Sequence, residues 1–572
     1  MTPYRPGTAC MLAFLAVFTV AVGLRAYRLG DDCFDCDELY AVRIQGVGPK
    51  AVAAVMARDG FHTNHPPLMT VPFLIWNALL GTSEAAVRLL PVLAGVVAVV
   101  AVFAFGCVLG RPWAGVFGAA ILAVNPLHIT YSTEARQYSL LVALIAVAHV
   151  LFVLSLRKPT RGLVVAYYFV AAWAALTHYF AVPVLLGHAA FAAWLMRKPG
   201  PNRRSAARLF LAVGLAGLPY LAWLPVMAFQ SRNKWDHLAT LTPSTLVDSL
   251  ADLLGLGGWG TSIGLALSLA AIVLVAVGVW ATRRVTVPVS AVNTRFVPLW
   301  LGWAVLAFGV LGGLGYGVVF PSMIEPMARE TLSGYGYDVA TVAEEVRLLR
   351  QTGLLGAGCV ALAGALLLGW RRLKLEGEQP SNGEVNGGAL LGCFVVVPII
   401  VVALGGLTGV PFHQTRNLLV MLPAVCIVIG FGLDSFSRRV PGAVLAVAVL
   451  AGMTVAAGQY HAIGRIVGRD GPRLGIDTID WRGVKAWLRD HPRTYGAVVL
   501  VNRPATDPGL YYLAEFTPLR LSPTAIDEAP RPAVFVHLTG NAFSEQLREK
   551  SGATRGAVKV AEGNGWEVYE MR

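Results

Sequence analysis

Residues 31–40, Asp-Asp-Cys-Phe-Asp-Cys-Asp-Glu-Leu-Tyr, put five acidic side chains and two cysteines into ten positions of a chain that is only 14% charged. Carboxylates grouped like this can take a proton from an incoming hydroxyl or hold a cation. Four other stretches carry groups suited to the same chemistry. His65 ends the pair of histidines in His-Thr-Asn-His-Pro-Pro-Leu (62–68), and Arg88 lies in 81–90. His128, Glu134, Arg136 and Tyr138 fall within 125–140, and His413 and Arg416 within 411–419. Arginines at such positions bind anions or partner carboxylates. Together the set suits a displacement in which a hydroxyl is deprotonated and a phosphate leaves. Each element alone has a bland explanation: a solvated acidic loop, an arginine closing a helix, a histidine satisfied by packing. Their combination points to an enzyme.

The elements that must position these groups are membrane helices. Of the 572 residues 56% are hydrophobic, and apolar runs of about twenty residues, long enough to cross ~30 Å of hydrocarbon, recur along the chain. About thirteen spans are expected, at 8–29, 86–109, 112–130, 138–156, 162–178, 179–196, 207–229, 261–282, 297–320, 351–370, 389–409, 416–433 and 440–457. The first run is too long for a signal peptide and lacks a clear cleavage site, so it reads as a retained helix. The net charge of +13 sits mostly in short connectors such as 157–161, 197–204, 282–284, 370–374 and 437–439. With the N-terminus cytoplasmic, all of these connectors fall inside, as the positive-inside rule expects, which argues against a nucleic-acid surface. The loops 30–85, 230–260 and 321–350 then lie outside with the acidic stretch. Pieces near 48–58 and 68–80 read as interfacial and amphipathic, and 376–388 as a polar cytoplasmic linker.

The division expected is a transmembrane catalytic domain over 1–457 and an extracytoplasmic α/β domain over 458–572. In the latter, 481–491 reads as an amphipathic helix, 497–501, 533–538, 557–562 and 566–571 as strands, and 509–516 and 543–550 as further helices.

The order of these motifs resembles the membrane glycosyltransferases with the C-type fold. It is most similar to the protein O-mannosyltransferase superfamily and the aminoarabinose transferases that modify lipid A. A first helix is followed by Asp-Glu-Leu-Tyr, His-Pro-Pro-Leu, Ser-Glu-Ala-Ala-Val-Arg-Leu-Leu-Pro, Ser-Thr-Glu-Ala-Arg-Gln-Tyr, Thr-Arg-Asn-Leu-Leu and an external Asp-Trp-Arg-Gly-Val-Lys. The resemblance implies a sugar donor carried on a polyprenyl phosphate and transfer on the extracytoplasmic side of the plasma (inner) membrane. The acceptor would be a protein, lipid or glycan. It implies Asp37 as base or orienting carboxylate, with Glu38 completing the pair. His65, Arg88, Arg136, Tyr138, Arg416 and His413 would stand near the donor lipid phosphate. A divalent metal at Asp37 and Glu134 is one further implication, weakened because some relatives carry Asp where this chain has Glu134.

Cys33 and Cys36 are outside the family pattern. Read from the residues, they form a disulfide or two free thiols, or join a metal site with Asp35, Asp37 and His62 or His65. A four-thiolate zinc site is excluded by the lack of a second external pair, and no thioredoxin-like context surrounds them. If bridged, they would stiffen the loop presenting Asp37. Two other functional classes stay open. A lipid or sugar transporter, or flippase, would place ionisable groups mid-membrane and show related halves. A non-catalytic membrane anchor would leave the order of motifs unexplained.

Overall fold

The computed structural model describes residues 6–43 except 28 and 36, 51, 52, 55, 65–230 except 67, 158–159 and 199–201, 286–289, 383–407, 415–437, 480–491, 497–501, 511–521 except 517, 533–538, 557–563 and 566–571, with a few isolated positions besides. The spans expected at 261–282, 297–320, 351–370 and 440–457 lie essentially outside these residues, as does the helix expected at 543–550.

Among the described residues ten helices precede the first described strand: α1 (Thr8–Ala26), α2 (Val71–Leu80), α3 (Glu84–Val108), α4 (Pro112–Val124), α5 (Pro126–Ser132), α6 (Tyr138–Arg157), α7 (Arg161–Thr177), α8 (Ala181–Arg197), α9 (Asn202–Ala216) and α10 (Leu218–Gln230). Strands β1 (Thr286–Val289) and β2 (Gly383–Asn386) pair antiparallel, so the C-terminal part of the expected linker is ordered as a strand. They are followed by α11 (Gly387–Leu407) and α12 (Leu422–Ser437), which is preceded by a 3₁₀ segment, Thr415–Met421. Among the described residues five helices are long and apolar enough to cross a membrane, or six if the bent pair α4–α5 counts as one.

Two expected spans are broken, each for a local reason. The run 112–130 stops at Asn125 because the following Pro126 disfavours helical backbone before it and has no N–H to give; the chain turns by 65°. Leu122 O thereby loses its intrahelical donor. The Arg25 guanidinium from α1 supplies it, donating to Leu122 O at 3.2 Å and Ala123 O at 2.9 Å, with Nη2 2.7 Å from His128 Nδ1. Asn125 then caps α5 by accepting the His128 N–H. Gly95 on α3 makes room for this bend, since a Cβ there would lie 2.3 Å from Ser132 Oγ. The run 207–229 is divided at Gly217, two residues before Pro219, between α9 and α10.

Helices α3, α4, α6 and α12 form the centre of the bundle, and small residues set their spacing. A Cβ on Gly430 of α12 would stand 2.2 Å from Ala114 O, and one on Gly106 of α3 would stand 2.3 Å from the Gly115 Cα. Close backbone approach of this kind lets helices associate where apolar burial gives no advantage over lipid. Apolar side chains on the outer faces, including Leu93 and Val97 of α3 and Phe169 and Trp173 of α7, are exposed, as a lipid-facing surface requires.

The described part of the tail contains α13 (Trp481–Asp490) and a five-stranded mixed sheet with the order β4 (Leu519–Leu521), β3 (Ala497–Val501), β5 (Ala533–Leu538), β7 (Trp566–Met571), β6 (Ala557–Gly563). Strand β4 was not expected, being only three residues long; of the helix expected at 509–516 the described residues are helical at 511–512 and form a 3₁₀ turn at Ala514–Phe516. Trp481, Val484 and Leu488 form the buried face of α13 and pack with Val498, Val534, Val536, Trp566 and Val568 of the sheet. The same cluster contains Cys33, Phe34 and Leu39, so the tail and the acidic loop share one core.

Gly430→Val should force the α4–α12 crossing apart. A loss of about 1–3 kcal/mol is expected for overpacking a tight contact, read as a lowered unfolding temperature in detergent, whereas Gly392→Val, with open space around it, should leave it unchanged.

Candidate active site

Glu38 organises the acidic loop. Its side chain is fully buried, and both oxygens are saturated. Oε1 accepts from Arg88 Nε and from the Ala135 backbone N–H, each at 2.8 Å, while Oε2 accepts from Arg88 Nη2 at 2.6 Å and from the Asp35 N–H at 3.2 Å. Asp35 reciprocates by accepting the Glu38 N–H at 2.8 Å, an Asp-x-x-Glu capping box that starts the 3₁₀ turn Glu38–Ala41. The Arg88 guanidinium uses all five N–H groups, since Nη1 also donates to Leu29 O and Asp32 O and Nη2 to Cys33 O. One ion pair therefore fastens the first loop, α3 and the α5–α6 connection together. Neither Glu38 nor Arg88 has capacity left for a substrate.

Asp37, by contrast, is about a third exposed, and its carboxylate faces two guanidiniums. Arg136 Nη2 lies 3.5 Å and Arg416 Nη1 3.6 Å from Asp37 Oδ2. Arg136 also donates to the Asp37 carbonyl at 3.3 Å. The two arginines flank the Tyr138 ring, with guanidinium carbons 5.8 and 5.5 Å from its centroid. Burial works against the charge of Arg136, but Asp37 and Tyr138 overcome it and hold its pKa above the ordinary arginine value. The Nε atoms of both Arg136 and Arg416 are buried with no hydrogen-bond partner.

His65 joins this group. Burial, the His178 imidazole and the two arginines hold its pKa well below the usual histidine value, so it is neutral. Its ring lies 5.2 Å from that of His178, which in turn lies 5.6 Å from Tyr138. Glu134 is partly buried in the loop just before Arg136. His413 and Cys36 lie outside the described residues, so the position of His413 and the Cys33–Cys36 pairing remain expectations. Cys33 itself is buried, and burial pushes its thiol pKa up. His178, and Tyr131 behind Tyr138 at 4.9 Å between rings, were not singled out from the sequence. Both stand in apolar helical surroundings, where histidine and tyrosine read as packing residues.

The fit to a divalent cation is poor. Among the described residues no three His, Cys, Asp or Glu side chains converge as a ligand set. The expected ligand Asp37 already has two positive groups on it.

The tail holds the loop from outside. Arg482 of α13 donates to Gly30 O and Asp31 O, and the Tyr512 hydroxyl accepts the Phe34 N–H at 2.8 Å while donating to Glu84 Oε1 at 2.7 Å.

Two outcomes follow. Arg88→Met should destabilise by about 3–5 kcal/mol by stranding a buried carboxylate, and much of this should return in the double variant Arg88→Met, Glu38→Leu; unfolding midpoints of the three proteins check it. Burial, reinforced by Glu38 and Asp37, raises the Asp35 pKa to about 6 from 3.8. The folded protein therefore binds the proton more tightly, and stability associated with Asp35 is present below pH 3.8 and lost as pH rises through 6. Asp35→Asn should accordingly raise the unfolding temperature at pH 7.5 and not at pH 4.

Comparison with known families bears out the resemblance to the protein O-mannosyltransferase superfamily. Residues 64–223 match the model for dolichyl-phosphate-mannose-protein mannosyltransferase, a stretch that contains His65, Arg88, Glu134, Arg136 and Tyr138. No curated protein matches the chain. Similar solved structures include an oligosaccharyltransferase from Archaeoglobus fulgidus tethered to an acceptor peptide, at 11% identity over 95% of this chain and 68% of that one, with a TM-score of 0.43. ArnT from Cupriavidus metallidurans in the apo state is 15% identical over 98% of each chain, with a TM-score of 0.41. The same protein bound to undecaprenyl phosphate is 16% identical over 99% of this chain and 98% of that one, with a TM-score of 0.39.

Proposed function

We propose that this chain is an integral membrane glycosyltransferase that moves a monosaccharide from a polyprenyl-phosphate carrier to an acceptor hydroxyl on the extracytoplasmic side. The observation that carries the reading is the pair Arg136 and Arg416, two guanidiniums that both face the partly exposed carboxylate of Asp37 and each keep a buried Nε with no hydrogen-bond partner among the described residues. Two guanidiniums beside one partly exposed carboxylate make an anion site next to a base. The family match over the stretch holding Arg136 and Tyr138 supports a glycosyl phosphate as that anion.

In this reading the acceptor oxygen attacks the anomeric carbon while Asp37 Oδ2 takes its proton. The bond between the anomeric carbon and the phosphate oxygen breaks, and the phosphate keeps the electron pair. Arg136 and Arg416 stabilise that charge where it develops. Their present contacts with Asp37, at 3.5 and 3.6 Å, are long for hydrogen bonds, so an arriving phosphate can recruit both without breaking a strong pair. A single displacement inverts the anomeric centre. Glu38 and Arg88 position the loop instead of touching the donor. Residues 1–457 act as the membrane catalytic domain in the plasma membrane with a cytoplasmic N-terminus, and 458–572 as an extracytoplasmic domain that clamps the acidic loop.

The test uses purified protein in lipid, radiolabelled polyprenyl-phosphate sugars and a cell-envelope extract as acceptor. Label should enter a new product with wild type. Asp37→Asn should lower turnover about 10²- to 10⁴-fold, the range for loss of a general base, with an unchanged unfolding temperature. Full activity in that variant would remove the base role, and movement of lipid-linked sugar across the bilayer without a new product would favour a transporter.

A further inference from the structure

We infer that His178, in the turn between α7 and α8, is a further catalytic residue of this site: a neutral hydrogen-bond donor to the departing phosphate. The inference rests on the transferase reading above and adds to it the group that meets the second phosphate charge. His178 ends α7 in an extended conformation, and the turn that follows directs the Phe180 N–H to His178 Nδ1 at 3.2 Å. That bond makes Nδ1 the acceptor, so the ring proton is on Nε2. With Nδ1 held by the backbone, Nε2–H is the edge left for another partner, and the ring lies 5.2 and 5.6 Å from those of His65 and Tyr138. The ring is buried, 4% exposed, so its orientation is held by the fold.

The reaction gives such a donor a task. A carrier phosphodiester bears one negative charge, which the Arg136 and Arg416 guanidiniums meet. When the anomeric bond breaks, the leaving phosphate becomes a monoester and acquires a second charge. A fixed neutral donor facing that oxygen stabilises the charge only as it develops, and so favours the transition state over the bound donor. Another arginine there would hold the ground state as firmly. The proton stays on Nε2 throughout; the only proton transferred is the one Asp37 accepts from the acceptor.

The test compares wild type with His178→Gln, His178→Phe and His178→Ala in the labelled transfer assay, with unfolding temperatures recorded alongside. Glutamine places an N–H near the position of Nε2, whereas phenylalanine keeps the ring packing against His65 and Tyr138 and has no donor. The expected result is a kcat about 10²-fold lower for the phenylalanine and alanine variants, the scale for removing one such donor. The donor KM should stay within a few fold, and kcat should be largely restored by glutamine. Wild-type kcat in His178→Phe would overturn the inference, because packing alone would then suffice. So would a glutamine variant that folds but is as slow as the alanine variant, and this comparison decides if the phenylalanine variant does not fold. A wild type that transfers no label speaks against the transferase reading itself, and in that case inorganic phosphate protection of His178 from diethyl pyrocarbonate tests the donor role directly. Protection is expected, and unchanged modification overturns it.

Discussion

The arrangement depends on one buried ion pair. Glu38 and Arg88 have no access to solvent, and every hydrogen-bonding position on both side chains is filled from within the protein. Removing two charges from water costs several kcal/mol each, and only saturated geometry offsets that. The return is positional. The pair binds the loop after α1, the start of α3 and the Ala135 N–H of the α5–α6 connection into one unit. Asp37 and Arg136, the immediate neighbours of these anchored residues, are thereby brought face to face. The charged groups that do the holding are distinct from the partly exposed Asp37 and the two arginines that face it.

Two further devices keep this unit in place. From the membrane side, Arg25 replaces the donor that Pro126 lacks and fixes the 65° bend from which Arg136 and Tyr138 are presented. From the other side, α13 and the tail sheet share a core with Phe34 and Leu39 and grip the loop backbone through Arg482 and Tyr512. The site thus lies where a bent membrane helix, a 3₁₀ turn and a covering sheet meet. The tail contributes order to the loop.

Much of this was legible in the residues. Apolar runs gave α1, α3 and α6 to within a few residues, because membrane length and hydropathy constrain them directly. Strands β3, β5, β6 and β7 were readable from short β-branched and aromatic runs. The breaks at Asn125 and Gly217 were less so, because a continuous apolar run hides them; at Asn125 the bend is created by Pro126 and Arg25 together. Within the site, the sequence marked Asp37, Arg136, Arg416, Tyr138 and His65. It could not separate Glu38 and Arg88 from them, since a saturated buried pair and an available one have the same residue types. His178 escaped notice for a related reason: a histidine in an apolar run looks like packing until its neighbours 113 residues earlier are seen beside it.

The central claim is that Arg136 and Arg416 form an anion site adjoining Asp37. Its most direct test is the affinity of the purified protein for polyprenyl phosphate in lipid nanodiscs, measured for wild type, Arg136→Gln, Arg416→Gln and Asp37→Asn. The account predicts that each arginine variant binds at least about 10-fold more weakly, the value of one charge-assisted contact. Asp37→Asn should bind as tightly as wild type or more so, because a competing carboxylate charge is gone. Equal binding by wild type and both arginine variants would contradict it.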